Sequence, residues 1–279
     1  MQKIFKTLFI CLLLSATAAN AQNVVYDANA EVRKVDAFTK IKVSSAISLY
    51  ISQGTQQAVA VSASDAQYIP KIKTDVSGGT LRIYVENGAW NNWNWGNKHL
   101  KAYVTFTQLE LLDASGASFI KITDPISVGE LKVVATGASS LEGSIKASTL
   151  HFDLGGASSS NVTINVSGNM DVQATGASTF KGTLQASAIS FDVSGASGCT
   201  VKGNTGDLKI QATGASNFHG YDLTTASCKV EATGASNVNI SVSKTLDAHA
   251  SGASNIDYKG EAVITNLDVS GASNVKKRS

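Results

Sequence analysis

A Gly-Ala-Ser mark, preceded by Thr or Ser in eight of nine copies, recurs through the last two-thirds of this chain and constrains its fold more than any other feature. Its glycines are Gly116, Gly137, Gly156, Gly176, Gly195, Gly214, Gly234, Gly252 and Gly271, separated by 18 to 21 residues. A period near 20 that runs on for nine copies implies a stack of similar coils rather than a globular domain around one pocket.

The columns around each mark identify the secondary structure. Four residues before the glycines stand Leu112, Val133, Phe152, Val172, Phe191, Ile210, Val230, Ala248 and Leu267. Two before stand Ala114, Ala135, Leu154, Ala174, Val193, Ala212, Ala232, Ala250 and Val269, and six before come Leu131, Leu150, Met170, Ile189, Leu208, Cys228 and Leu246. Apolar residues at every second position describe a strand with one face inward. The residues between, such as Asp113, Asp153, Asp192, Glu231 and Asp268, are expected to face solvent. Another apolar column follows at plus four (Ile120, Leu141, Phe180, Cys199, Phe218, Val238, Ile256, Val275), with Ser160 as the exception. One strand per copy, paired with its equivalent in the next copy, gives an all-β, parallel β-solenoid of about 19–20 residues per coil. Crossovers between parallel strands are almost always right-handed, so the expected form is a right-handed parallel β-helix.

Each residue of the mark has a corner role. Glycine accepts a sharp bend with φ above zero, and alanine keeps the bend small. The serines at plus two, from Ser118 to Ser273, are placed to share hydroxyl hydrogen bonds along the axis. Asn217, Asn237, Asn255 and Asn274 are placed to form an amide ladder. The closing Lys276-Lys277-Arg278 reads as charge that discourages end-to-end stacking of open strand edges.

The ends bound the compartment. Lys3 and Lys6, the apolar run Ile4 to Leu14 and Ala19-Asn20-Ala21 have the form of a secretory signal peptide over residues 1–21, with Gln22 as the first mature residue. The apolar run is too short to span a bilayer. Of 23 basic and 21 acidic residues, cleavage removes two lysines and leaves 21 of each sign. A neutral chain argues against nucleic acid and against an anionic membrane as partners, and no membrane insertion is expected after cleavage. Cys199 and Cys228 have no zinc or haem spacing; their columns favour two buried free thiols, although an oxidising compartment permits a disulfide. The expected organisation is a single solenoid domain over residues 22–279, with irregular capping coils over 22–109 and regular repeats over 110–279.

The N-terminal third keeps the alternation without the marks. Ile41, Val43, Ile47, Leu49 and Ile51 alternate with polar residues up to Gly54, and further strands are expected at Ala58 to Ser62, Leu81 to Val85 and Ala102 to Phe106. The run from Val35 to Val43, the following Ile47 to Gly54, the Gly-Gly-Thr-Leu-Arg-Ile of Gly78 to Ile83 and the SGAS/TGAS coils together resemble a bacterial family called the putative auto-transporter adhesin, head GIN domain. The resemblance covers most of the mature sequence. It implies an exported β-helical protein with an adhesive role, and it carries no catalytic residues. Ala46-Ile47-Ser48 stands where the family's signature glycine and asparagine would align. The repeats running on to Ser279 also leave no room in this sequence for a translocating β-barrel.

Candidate sites are few. Glu86 to His99 breaks the strand pattern and holds Trp90, Trp93 and Trp95 among Asn91, Asn92, Asn94 and Asn97. Aromatic faces beside amides suit sugar rings, so Trp90, Asn91, Asn92, Trp93 and Trp95 are the candidate binding residues; the alternative is a loop that packs its tryptophans on the rod. The acidic column invites comparison with polysaccharide hydrolases and lyases built on β-helices. Its acids, however, recur in alternate coils, about 10 Å apart on a rise of about 4.8 Å. His99, His151, His219 and His249 are scattered, so no metal site is expected and no cofactor is implied. The Thr/Ser column before the glycines is too mixed for an ordered-water surface. The leading expectation is a non-enzymatic exported interaction module contacting a glycan or an envelope or host surface protein. It would reside in the periplasm, on the outer-membrane surface or in the medium. A carbohydrate-active enzyme on the same scaffold and a purely structural envelope spacer are the alternatives.

Overall fold

The computed structural model describes residues 27, 29–86 and 99–279. The described strands form a parallel β-solenoid. Each copy of the repeat supplies two strands rather than one. In the coil around Gly156, Thr149–Leu154 runs into the corner and Ser159–Val166 runs out of it. The first strand stacks in one face of the rod, the second in the other. Towards the C-terminus the outgoing strand of one copy continues into the incoming strand of the next, as in Thr179–Val193 and Asn217–Ala232.

The repeated columns set the register. Val133, Phe152, Val172, Phe191, Ile210, Val230, Ala248 and Leu267 pair in succession along one face. On the other, Ile120, Leu141, Ser160, Phe180, Cys199, Phe218, Val238, Ile256 and Val275 do the same. Differences in copy length are taken up on the outgoing face, where the register shifts between Thr200 and Lys202, between Gly220 and Thr224 and between Thr225 and Ser227, and once on the incoming face, between Leu246 and Asp247. The shift at Thr200 inserts one residue and that at Gly220 three, and the inward pairs of the following strand, such as Leu208 with Cys228 and Cys228 with Leu246, stay in register.

The outgoing strands bury more than the plus-four column. Val162, Ile164 and Val166 are buried, as are Leu184, Val201, Leu223, Ile240 and Val242. Glycines interrupt these columns where ring volume demands it. A Cβ on Gly182 would lie 3.0 Å from the Phe180 ring, and one on Gly220 would lie 2.5 Å from the Phe218 ring. The rings themselves bridge the two faces edge to face, with centroid distances of 5.3 Å for Phe152–Phe180, 5.9 Å for Phe180–Phe191 and 4.9 Å for Phe191–Phe218.

The corners behave as the mark requires. The nine glycines have φ between 69° and 77°. From Gly137 onward an added Cβ would come within 2.5 to 2.8 Å of the preceding corner glycine's carbonyl oxygen. The following alanine N–H donates to that same oxygen, at 2.7 to 2.8 Å. The serine column is buried as far as Ser254, but it is not one hydroxyl chain. Only Ser178 and Ser197 meet directly, at 3.3 Å, while Ser236, Ser254 and Ser273 donate to main-chain carbonyls of their own and the preceding coil. The hydroxyls of Ser118, Ser139, Ser158 and Ser216 have no partner. The alternative donation to carbonyls wins where the corner backbone brings an oxygen closer than the next serine. The amide ladder forms over three rungs, Asn237 donating to Asn217 at 3.2 Å and Asn255 to Asn237 at 3.1 Å.

The start of the rod is interleaved. Lys40–Val43 and Ser48–Gln53 make a coil of the stack, paired on one side with Leu111–Ala114 and Phe119–Ile122. On the other side lie Thr80–Val85 and Leu100–Phe106, which come later in the chain. Its corner, Ser44 to Ile47, has no glycine. Ser45 stands where Gly116 stands in the next coil, and Ser45 and Ala46 both adopt positive φ, 68° and 57°. The expected strand segments are present. Their pairing differs from simple coils, because Ala58–Ala63 is antiparallel to Leu100–Phe106, Glu31–Arg33 to Ala58–Ala63, and Ile72–Ser77 to Thr80–Val85. These antiparallel strands, with Phe38, Ile69 and Ile72 buried beneath them, close one end of the core.

The opposite end is uncovered among the described residues. In the last coil Val263 is exposed, and so are Ile264, Leu267 and Val269, although the equivalents of these three one coil back, Leu246, Ala248 and Ala250, are buried. The basic tail is tied down: Lys277 pairs with Glu261 at 3.0 Å and Arg278 with Asp257 at 2.8 Å.

Two measurements probe the corner. Gly214→Val forces a side chain into the Gly195 carbonyl at positive φ, and should lower stability by about 3 kcal/mol or more in thermal or chemical unfolding. Ala46→Gly relieves a left-handed alanine and should raise stability by up to about 1 kcal/mol; a lower melting temperature would contradict the strain assignment.

Candidate functional site

The segment singled out for binding, with Trp90, Asn91, Asn92, Trp93 and Trp95, lies outside the described residues, as does the signal sequence over residues 1–21. Its attachment points are described. The chain leaves one face after Val85 and enters the other at Leu100. In the neighbouring coil the same step, from Val43 to Ser48, takes four corner residues. The described ends of the connection, Glu86 and His99, thus follow and precede the strands that a four-residue corner joins in the neighbouring coil.

Leu100–Phe106 continues from that segment and turns Lys101, Tyr103 and Thr105 outward. Tyr103 stacks on Tyr50 from the adjacent strand, with centroids 5.2 Å apart and planes 22° from parallel. The Tyr103 hydroxyl donates to Asp27 at 2.8 Å, and Lys101 donates to the same carboxylate at 3.3 Å. Burial pushes the Asp27 carboxyl up, but the hydrogen bonds from Tyr103, Ser62, the Asn29 amide and Lys101 together outweigh it and hold the group below its ordinary range. Burial, reinforced by the Asp27 bond, pushes the Tyr103 phenol up. Sequence pattern does not reveal this pair, because Tyr50 and Tyr103 meet only through the interleaved order of coils.

Three outward acids of the incoming strands, Asp113, Asp153 and Glu231, are engaged by neighbouring side chains. Lys42 pairs with Asp113 and Lys132 with Asp153, each at 3.0 Å, and Lys229 with Glu231 at 3.3 Å. Hydrogen bonds from Gln211 and Lys229 hold the Glu231 carboxyl below its usual range. His151 stands 2.8 Å from Asp153, and His249 stands 2.8 Å from Asp247. The Lys42 and Lys132 pairs join successive coils, the other three lie along one strand, and among the described residues these contacts bring no two carboxylates together in an enclosed cleft. Among the described residues no group of three His, Cys, Asp or Glu is arranged to hold a metal ion. The Thr/Ser column before the corner glycines is broken by Gly155, so it offers no continuous hydroxyl row.

Cys199 and Cys228 are buried free thiols on opposite faces, and burial pushes both up to about 12. Cys199 lies between Phe180 and Phe218 in its column, and Cys228 between Leu208 and Leu246.

Comparison with known proteins follows the same outline. The family model described as "Putative auto-transporter adhesin, head GIN domain" matches residues 37–165 and again residues 154–262. The chain belongs to this family. A model that fits twice in succession agrees with a rod whose coils repeat. Among solved structures, a putative lipid binding protein from Parabacteroides distasonis superposes with a TM-score of 0.65 at 19% identity, covering 91% of this chain and 98% of that one. A putative adhesin from the same species gives 0.63 at 19% identity, over 89% and 96% of the two chains. One from Parabacteroides merdae gives 0.62 at 17%, over 90% and 95%. At these identities the likeness concerns the fold. No curated protein matches the chain. Among the described residues no helix is long and apolar enough to cross a membrane.

Two outcomes follow. In native protein prepared without residues 1–21, neither thiol should react with a disulfide reagent at pH 8 over hours, and two should react after denaturation; rapid native labelling would place a cysteine at the surface. Asp27 has a depressed native pKa, so its stabilising bonds are complete above the ordinary carboxylate value of about 3.9. They are lost as pH falls through the lower native value. Asp27→Asn should therefore melt at lower temperature than the parent at pH 7, with the gap closing on acidification below pH 4.

Proposed function

We propose that this family member is an exported, non-enzymatic interaction module of adhesin type, and that it meets a glycan or a surface protein through the segment Glu86–His99. The observation that carries the reading is the position of that segment. Three tryptophans and a run of asparagines stand in sequence between Val85 and Leu100, whose strands lie next to two that a four-residue corner joins. A corner is the part of a solenoid that lengthens at least cost, since neither sheet loses a hydrogen bond. Aromatic faces with amide neighbours are suited to sugar rings and to protein surfaces alike.

Three further points support the reading. The family and several neighbours of the same fold carry adhesin names. Three of the outward carboxylates, Asp113, Asp153 and Glu231, are engaged by lysine, histidine or glutamine partners. The signal-like residues 1–21 fit a destination in the periplasm, on the cell surface or in the medium.

The test combines location with binding. Protease shaving of intact cells should degrade the protein if it is displayed, and spare it if it is periplasmic. Trp93→Ala with Trp95→Ala should lower binding on a glycan or envelope-protein array by tenfold or more, while the melting temperature stays within about 2 °C of the parent. Loss of folding in that variant, with no ligand for the parent, would instead make the segment a packing element.

A further inference from the structure

On the outer face at the capped end, one column of side chains breaks the polar pattern expected of a solvated sheet. Val32, Ala60, Tyr103 and Tyr50 stand side by side on four adjacent strands, followed by Lys121. Val32 is 76% exposed, which is unusual for a branched apolar residue. The column is a ladder with a missing rung. Tyr103 is held on one face by Tyr50 and at its tip by Asp27, so its ring is fixed in place. Its other face looks towards Ala60, whose side chain ends at the methyl group.

We infer that this gap is a binding slot for a single sugar ring, stacked on Tyr103. Strands lie about 4.8 Å apart, so Val32 and Tyr103 stand roughly 10 Å apart across Ala60. Carbon atoms in contact sit about 3.5–4.0 Å apart. One ring therefore fills the gap against both walls, and two do not fit. The slot opens into a groove of about 650 Å³ whose floor includes Ala58 and Ala60. Most of its lining is apolar, but one side carries polar groups: Ser52 and Thr105 hydroxyls share a hydrogen bond at 3.3 Å, and the Thr123 hydroxyl donates to Asp124 at 3.2 Å. A pyranose presents an apolar C–H face to an aromatic ring and a rim of hydroxyls to such groups. A hydrocarbon chain would fit the apolar walls but would strip water from the hydroxyls and the Asp124 carboxylate without replacing their hydrogen bonds. The slot thus prefers a sugar to a lipid tail.

This inference rests on the glycan reading above and adds a second contact, carried by the same strand, Leu100–Phe106, that leads out of the Trp/Asn-rich segment. The decisive variant is Ala60→Tyr. It supplies the missing rung, fills the slot and extends a cross-strand aromatic row, which favours folding. Methyl glycosides of glucose, galactose, rhamnose and N-acetylglucosamine are titrated into the folded protein and followed by amide NMR shifts. A single ring on an open slot binds at about 1 mM.

The expected result is saturable shifts for at least one glycoside, clustered on Ala58 to Ala60 and Tyr103 to Thr105. They should weaken tenfold or more in Ala60→Tyr, at an unchanged or higher melting temperature, and persist in Trp93→Ala with Trp95→Ala. Shifts that vanish in the tryptophan variant and persist in Ala60→Tyr would overturn the slot and leave the corner reading intact. Absence of binding by every glycoside overturns the slot, and so does laurate occupying the same residues in their place.

Discussion

The structure depends on how closely two successive corners approach. Each corner glycine sits with its Cα against the carbonyl oxygen of the glycine before it, at a separation that leaves no room for a Cβ. That oxygen accepts a hydrogen bond from the alanine that follows. Both faces of a coil diverge from this point, so one contact sets the register of two sheets at once. A slip of one residue would expose every core side chain of a strand. The corner prevents it locally, before the long strands have paired.

Fixing one edge leaves the rest of the coil free to vary. The outgoing face takes up differences of one to three residues as irregularities, and glycines there make room for phenylalanine rings that reach across the core. On the surface, ion pairs between outward residues of adjacent coils repeat the logic of the core with charge in place of volume. Each pair is weak when exposed. Their number follows from the stacking rather than from any selected centre, which explains why a long acidic column yields no cleft.

The regular part of the rod was legible because its period is written in a few letters: glycine at positive φ, small residues beside it, and apolar residues at every second place before it. The second strand of each copy was hidden, since Gly143, Gly182 and Gly220 interrupt its inward columns and read as loop. The first coil was hidden for the opposite reason. Ser45 and Ala46 make the bend without glycine, so the corner carries no mark. The Trp/Asn-rich segment was visible as a break, but where its ends attach depends on pairing between residues 40–53 and 80–106. Tyr50 and Tyr103 are 53 positions apart in the sequence, and nothing in either neighbourhood announces that they will stack.

The interleaved start also governs when the rod can begin to form. Lys40–Gln53 lies between two coils that are both made of later residues. A chain emerging N-terminus first must therefore release about 120 residues before three coils can stand together. Until then its apolar strands have no partners and the closure entropy of the long intervening loops is unpaid. After that point each further 18 to 21 residues meets a finished edge and adds to it locally. Assembly has a slow, all-or-none beginning and a processive remainder. The first 120 residues are where the chain most needs protection from other chains.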